Sequence, residues 1–381
     1  MNAKLLIKKA IQAAAILALP CISQAQQEKP FIIGEIAPLS GPAATVGTRL
    51  NQVARMWSEE VNARGGINGR KIELITCNDE GRPEKAVACA RDLIAKGSVL
   101  LLNNSLTSSI RATMPVVAKG PAMIVPSPNI APTPDTYVFQ VSPSDTHITM
   151  AVASYLKANH IKKLGMVAAT DSSGEVGIAN AEAIFPKDGI ELKSARIDLR
   201  STDASSQLAA VAGPDVKIVY ANYSGAGAAN IVKGYYNLGL QQPLIISYAN
   251  LSAAFLAVVK DMLPPRLLGT SISALVPDAM VDKPAQKRAI DFTKAYHEKY
   301  GDDVDMINLL GKLSADTVEA ILLNVKTPED PNAVKDYLQT HPIPSVQTIR
   351  FSNKSHVGLT DENMLIVELQ NGKWVKAGPV K

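Results

Sequence analysis

The sequence predicts an α/β protein of two lobes, each a doubly wound parallel sheet with helices on both faces. Three observations predict it. Strand-like apolar runs alternate with helical segments from Phe31 onward. The alternation runs twice, once on each side of Ser142-Pro143-Ser144. About 355 residues follow an N-terminal leader, more than one core usually supports.

In the first half, Phe31–Ala37 reads as a strand and Val46–Ala63 as a helix, followed by a turn at Gly65-Gly66-Ile67-Asn68-Gly69. Lys71–Cys77 alternates Ile72 and Leu74 with polar neighbours, the period of a strand. Pro83 suits a first helical turn, Glu84–Lys96 continues it, and Gly97 ends it. Val99–Asn103 is the next strand, Ser108–Lys119 a helix and Ala122–Val125 a strand. In the second half, Asp145–Asn159 is helical, with Asp145 placed to cap it. Strands at Lys163–Ala168, Glu191–Ile197, Lys217–Ala221, Leu244–Ser247 and Leu268–Ser273 alternate with helices at Gly174–Phe185, Ala204–Ala212, Ala228–Leu238 and Leu251–Lys260. After Pro277 the pattern changes to long helices, Lys283–Tyr300 and Leu309–Asn324, and a shorter one at Asn332–Thr340. Met364–Leu369, Gln370-Asn371-Gly372 and Lys373–Lys376 read as a hairpin, because Asn-Gly between apolar runs favours a tight turn.

The leader is residues 1–25. Lys4, Lys8 and Lys9 precede the apolar run Ala10–Leu19, and Ser23-Gln24-Ala25 offers a small-residue cleavage site. That is the layout of a secretory signal, and the run is shorter than the ~20 residues that span a bilayer. A buried N-terminal helix is the competing reading. Pro20 is a poor neighbour for lipid attachment at Cys21, so the product is expected to be soluble in the periplasm. Removing the leader removes three lysines and no acids, and the formal charge falls from +4 to +1. No basic tract remains, which excludes nucleic acid and anionic membrane as partners. Aromatic residues make up 5% of the chain, too few for a stacking surface.

Cys77 and Cys89 remain after the leader. In an exported chain two cysteines this close are expected to pair, joining a strand end to the following helix. Two buried thiols are the alternative. With no histidine nearby in sequence they do not make a zinc set.

Parallel α/β sheets bind ligands beyond the carboxyl ends of their strands. Three loops of the first half lie there: 38–47, 103–108 and 126–129. Ser105, Thr107 and Ser108 place hydroxyls and free amides at a helix start, an arrangement suited to an anion or to ordinary capping. Ser127 and Asn129 belong to the third loop. The second half offers Ser173, Tyr223, Ser224 and Tyr248 in its own post-strand loops, where plain turn chemistry is the competing reading.

Enzyme signatures are weak. Gly225-Ala226-Gly227 lacks the third glycine of a dinucleotide fingerprint, since Asn230 stands there. There is no phosphate-binding loop and no nucleophile elbow at Ser224. His147, His160, His297, His341 and His356 are scattered. No cofactor is expected and no catalytic residue is assigned.

The run Ile33-Gly34-Glu35-Ile36-Ala37-Pro38-Leu39-Ser40-Gly41-Pro42 and the segment Val61-Asn62-Ala63-Arg64-Gly65-Gly66-Ile67-Asn68-Gly69-Arg70 carry a resemblance. Asn78-Asp79-Glu80, with Pro83, Ala86 and Ala90, continues it, as does Gly239-Leu240. The chain resembles a type I periplasmic solute-binding protein of the leucine/isoleucine/valine-binding group that serves ABC importers. The resemblance implies two lobes joined by three crossovers, near 142–144, 269–273 and 352–358. The C-terminal helices would return to the first lobe and the hairpin would join the second. The lobes are then 26–142 with 275–352, and 143–274 with 353–381. It implies a monomer that closes on a small-molecule ligand and meets permease subunits, the ligand carboxylate lying against Ser105–Ser108 and Ser127–Asn129. Tyr248 falls where the family's amino-acid binders carry an acid for the ligand ammonium. A carboxylate without an amine, or a neutral polar molecule, is therefore expected to bind better than leucine. A sensory module is the alternative function, and an exported hydrolase lacks a nucleophile–base pair.

Overall fold

β3 (Leu100–Asn103) and β4 (Ala122–Val125) are buried at every residue, as strands covered on both faces must be. The computed structural model describes residues 28–41, 43–224 and 226–380, so the expected leader lies outside the described residues. With β1 (Phe31–Ala37), β2 (Ile72–Asn78), β5 (Val138–Pro143) and β11 (Val357–Leu359), these strands form a six-stranded sheet in the order β2-β1-β3-β4-β5-β11. Every pairing in it is parallel. One face packs on α1 (Ala44–Ala63), α9 (Lys283–Tyr300), α10 (Met306–Asn324) and α11 (Pro331–Thr340). The other packs on α2 (Pro83–Ala95) and α3 (Thr107–Thr113).

The second sheet runs β13-β12-β10-β9-β8-β6-β7. Its parallel strands are β6 (Lys163–Ala169), β7 (Glu191–Ile197), β8 (Ile218–Asn222), β9 (Leu244–Ile246) and β10 (Leu267–Ile272). The hairpin β12 (Met364–Gln370) and β13 (Lys373–Lys376) adds two antiparallel strands at its edge. Asn371 and Gly372 both take left-handed φ in its turn, as that dipeptide favours. α4 (Asp145–Ala158) and α5 (Ser172–Ile184) cover one face; α6 (Ser205–Val211), α7 (Ala226–Asn237) and α8 (Ala253–Val259) cover the other. Arg266 clamps Glu368 with two bonds of 2.8 Å, tying the start of β10 to β12.

Several local readings are corrected. Ser144, not Asp145, caps α4, and its hydroxyl accepts the His147 amide at 3.2 Å. α3 stops at Thr113 rather than Lys119, because Pro115 disfavours helix at the residue before it. β5 and β11 escaped the sequence reading. β5 carries Gln140 facing inward, where its side chain accepts the Ala131 amide at 2.9 Å and donates to the carbonyls of Ser142 and Pro143. The sequence sets 353–359 in the second lobe and a crossover at 352–358. Val357–Leu359 instead pairs with β5, so the chain passes between the sheets after Leu359. The passage expected at 269–273 likewise follows Ile272, since Gly269 lies within β10.

Cys77 and Cys89 form a disulfide, twelve residues apart, which joins the end of β2 to α2. Closing so short a loop contributes about 3 kcal/mol in the chain-entropy account.

Candidate functional site

Each sheet has one point where neighbouring strands lead their connections to opposite faces. In the first it lies between β1 and β3, and in the second between β6 and β8. Loops diverge there and leave a crevice beyond the strand ends. A cavity of about 430 Å³ lies between the two crevices. Thr107, Ser108, Ser127 and Asn129 reach it from the first lobe, and Asp171, Ser173, Ser224 and Tyr248 from the second.

The first-lobe wall is rich in donors. Leu106 occupies the N-cap position of α3 and has no side-chain oxygen to offer, so no side chain caps that turn. The Thr107 and Ser127 hydroxyls bond each other at 2.7 Å, joining the two loops. Arg111 fixes the third loop from behind by donating to the Asn129 carbonyl at 2.6 Å. Among the described residues the Asn129 side-chain oxygen is buried with no partner.

Ser105 also lines the cavity, but its hydroxyl donates to the buried carboxylate of Asp79. Asn103 and Asn104 turn inward as well. Asn103 donates to Thr113 at 2.8 Å and Asn104 to Glu35 at 2.7 Å. The loop read as one polar cluster is thus divided: 103–105 anchors it and 106–108 faces the cavity.

The second-lobe wall carries the only charged residue among the described lining residues, Asp171. Its Oδ1 accepts from the amides of Ser173 and Gly174 at 3.1 and 2.9 Å and from the Ser173 hydroxyl at 2.7 Å, capping α5. Oδ2 accepts nothing from the described residues. Glu175 is engaged elsewhere, in a two-bond pair with Arg196 at 2.6 and 2.9 Å. Burial, with a smaller contribution from the Asp145 carboxylate, pushes the Tyr248 hydroxyl above the ordinary tyrosine range, so it stays a neutral donor. Its own amide is held by the Thr270 hydroxyl at 3.0 Å.

Tyr223 is not among the residues that line this cavity. Its ring lies in the second lobe's core, 3% exposed, over Gly227. A Cβ at Gly227 would come within 2.1 Å of that ring, so this glycine makes room for a tyrosine. The lining is also apolar: Val46 and Leu106 come from loops the sequence singled out, whereas Leu50 from α1 and Ile307 and Leu310 from α10 were missed by sequence reasoning. Leu50, Ile307 and Leu310 read as core by their periodicity, and they belong to the first lobe's core as well. His356 is a packing residue, stacked on Phe139 at 4.0 Å, and burial lowers its pKa to about 4. Among the described residues no group of three or more His, Cys, Asp or Glu side chains could hold a metal ion, and no helix is long and apolar enough to cross a membrane.

The chain is 26% identical over 216 residues to a Leu/Ile/Val-binding protein homolog of Brucella melitensis. That alignment covers 55% of this chain and 58% of the relative, so the match spans little more than half the relative's length. An amino acid binding protein of Pseudomonas aeruginosa is 24% identical over 357 residues, 90% of this chain and 91% of its own. An extracellular ligand-binding receptor from Rhodopseudomonas palustris shares the fold, with a TM-score of 0.79 at 19% identity over 92% of this chain and 99% of that one. The sequence profile of the periplasmic binding proteins matches residues 30–373. With two wound sheets and a cleft at their facing switch points, the chain belongs to the periplasmic binding protein family and has its type I fold.

Proposed function

We propose that the protein captures a small polar solute outside the cytoplasm, closes its two lobes over it, and presents the closed form to the permease of an ABC importer. The observation that carries this is the cavity at the two facing switch points, lined from both lobes by neutral hydroxyls and one carboxylate. A signal peptide at 1–25 would deliver the chain, and a monomer suffices for capture. In this reading the first lobe comprises 26–143 and 274–359, and the second the remainder.

The ligand's carboxylate would lie at Thr107, Ser108, Ser127 and Asn129, where hydroxyls and uncapped amides meet it. Ser173, Ser224 and Tyr248 would close on its other end. Tyr248 offers a neutral donor, which favours a carboxylate or a neutral polar molecule over an amine. One observation favours an α-amino acid instead: Oδ2 of Asp171, on the same wall, accepts nothing from the described residues. The names of the Brucella and Pseudomonas relatives also support that reading. A sensory module would use the same cleft, and permease and ATPase genes beside this one would favour transport.

A thermal-shift screen of amino acids, their deaminated keto-acids and aromatic carboxylates tests the capture. A true ligand at 100 times its Kd adds about 2.7 kcal/mol. Calorimetry of leucine against 4-methyl-2-oxopentanoate then tests the amine. The keto-acid is expected to bind more tightly; tighter binding of leucine assigns the ammonium to Asp171. A screen without any shift would reject capture of these solutes.

A further inference from the structure

The segment Asn78-Asp79-Glu80-Gly81 lies behind the first-lobe wall, and Asn78, Asp79 and Gly81 meet different pieces of it. Asn78 Oδ1 accepts the Leu39 amide at 2.9 Å, and its Nδ2 donates to the Ser40 hydroxyl at 2.9 Å. Both belong to the loop that enters α1, which carries Val46 and Leu50 into the cavity. Asp79, fully buried, accepts the Ser105 hydroxyl through Oδ2 and the Gly81 amide through Oδ1. Ser105 is next to Leu106, the residue that leaves the α3 turn uncapped. Gly81 has a φ of +71, and a Cβ there would meet Leu106 at 3.2 Å and Ala43 at 3.8 Å, so the turn fits between the two loops. One residue before Asn78, Cys77 is bonded to Cys89 in α2.

We propose that Asp79 and Asn78, anchored by the Cys77–Cys89 disulfide, are positioning residues for ligand capture: they hold the loops 103–108 and 38–41 in the geometry that presents the first-lobe wall. None of the three groups needs to touch ligand. Asp79 acts through Ser105 on the α3 turn, Asn78 through Leu39 and Ser40 on the entry to α1. The disulfide fixes the strand end from which both side chains project. A buried acceptor that loses its place leaves a hydroxyl without a partner, and a loop held by few bonds opens locally before the lobe unfolds.

The proposal rests on the cleft being the binding site, but amide hydrogen exchange tests the positioning with no ligand present. Asp79→Ala should speed exchange at residues 104–110 by about tenfold or more, and leave 38–41 and the second-lobe loop 170–174 within about twofold. Asp79→Asn keeps Oδ1 as the acceptor for the Gly81 amide and places Nδ2 to donate to the Ser105 hydroxyl oxygen, so it should stay near wild type. Asn78→Ala should show the converse, faster exchange at 38–41 alone. The paired change Cys77→Ser and Cys89→Ser should speed both loops together. Unchanged exchange at 104–110 in Asp79→Ala, or equal acceleration in both lobes, overturns the proposal. If that variant does not fold, Asn78→Ala and the cysteine pair decide it on the same terms. Leucine and 4-methyl-2-oxopentanoate serve as binding probes. Whichever binds wild type should bind Asp79→Ala at least about tenfold more weakly, a difference of about 1.4 kcal/mol. Equal affinity contradicts positioning. If neither probe binds wild type, the capture reading fails for these two solutes, while the exchange data still decide the positioning.

Discussion

Glu35→Ala is expected to cost the fold about 3 kcal/mol or more, whereas Glu35→Gln should be tolerated and should gain on wild type as pH rises. Glu35 is fully buried in β1. Its Oε2 accepts from Asn51 at 2.6 Å and Thr76 at 2.8 Å, and its Oε1 from Asn104 at 2.7 Å. Alanine would take the acceptor from the buried Asn104 amide and leave half-buried Asn51 and Thr76 only their 3.2 Å bond to each other. Burial raises the carboxyl's pKa above its ordinary 4.5, and the three hydrogen bonds only partly oppose this. The folded state therefore holds the proton more tightly than the unfolded chain does. The stability this contributes is fully present below the ordinary value and is lost as pH rises through the raised one. Glutamine carries no charge to bury. It can also donate to the Asn104 side-chain oxygen, which is buried without a partner among the described residues, if that amide turns over. Urea midpoints of wild type and Glu35→Gln should therefore coincide near pH 4 and separate in the variant's favour near pH 8. A variant less stable at pH 8 by more than about 1 kcal/mol would mean that the ionised carboxylate is itself stabilising. The surface-edge pair Arg266–Glu368 has the opposite sign. Arg266 lowers the Glu368 pKa, so its contribution is present above the ordinary carboxylate value and is lost as pH falls.

Ser108→Trp is expected to abolish capture without harming the fold. Ser108 is exposed, stands in the first turn of α3 and lines the cavity. An indole there occupies the space between the two walls. Affinity for any solute found in the thermal-shift screen should fall by at least about 100-fold, or about 2.7 kcal/mol. The urea midpoint of the unliganded protein should barely move, since an exposed substitution usually changes stability by less than about 0.5 kcal/mol. Affinity within about threefold of wild type would place the ligand elsewhere.

Much of this architecture is legible in the sequence because parallel strands buried on both faces read as continuous apolar runs. Phe31–Ala37 and Ala122–Val125 are such runs; the exposed edge strand Glu191–Ile197 and the antiparallel terminal hairpin are not, yet also fall where the sequence sets them. β5 and β11 do not: Gln140 interrupts one run, and a three-residue edge strand leaves almost no pattern. The cavity residues Ser108, Ser127, Ser173, Ser224 and Tyr248 were accessible through a rule about strand ends, which says where loops converge. It does not say which way a loop side chain turns, so Tyr223 and Ser224, adjacent in sequence, go to the core and to the cleft. Nor does it reveal Ile307 and Leu310, which arrive at the cavity about 200 residues after α3, because no local period records that return. The anchoring by Asn78 and Asp79 is a matter of tertiary hydrogen bonds, visible only once β2 and the two loops lie side by side.

In the proposed capture, one solute is held by both lobes at once. Hydrogen exchange of wild type, with and without a solute identified in the screen, measures this directly. Capture predicts slower exchange at 104–110 and 126–130 together with 171–175, 224–228 and 247–251. Protection confined to one lobe, or appearing instead in the open groove around His160, Lys163 and Gln241 at the amino ends of the second sheet's strands, would contradict it.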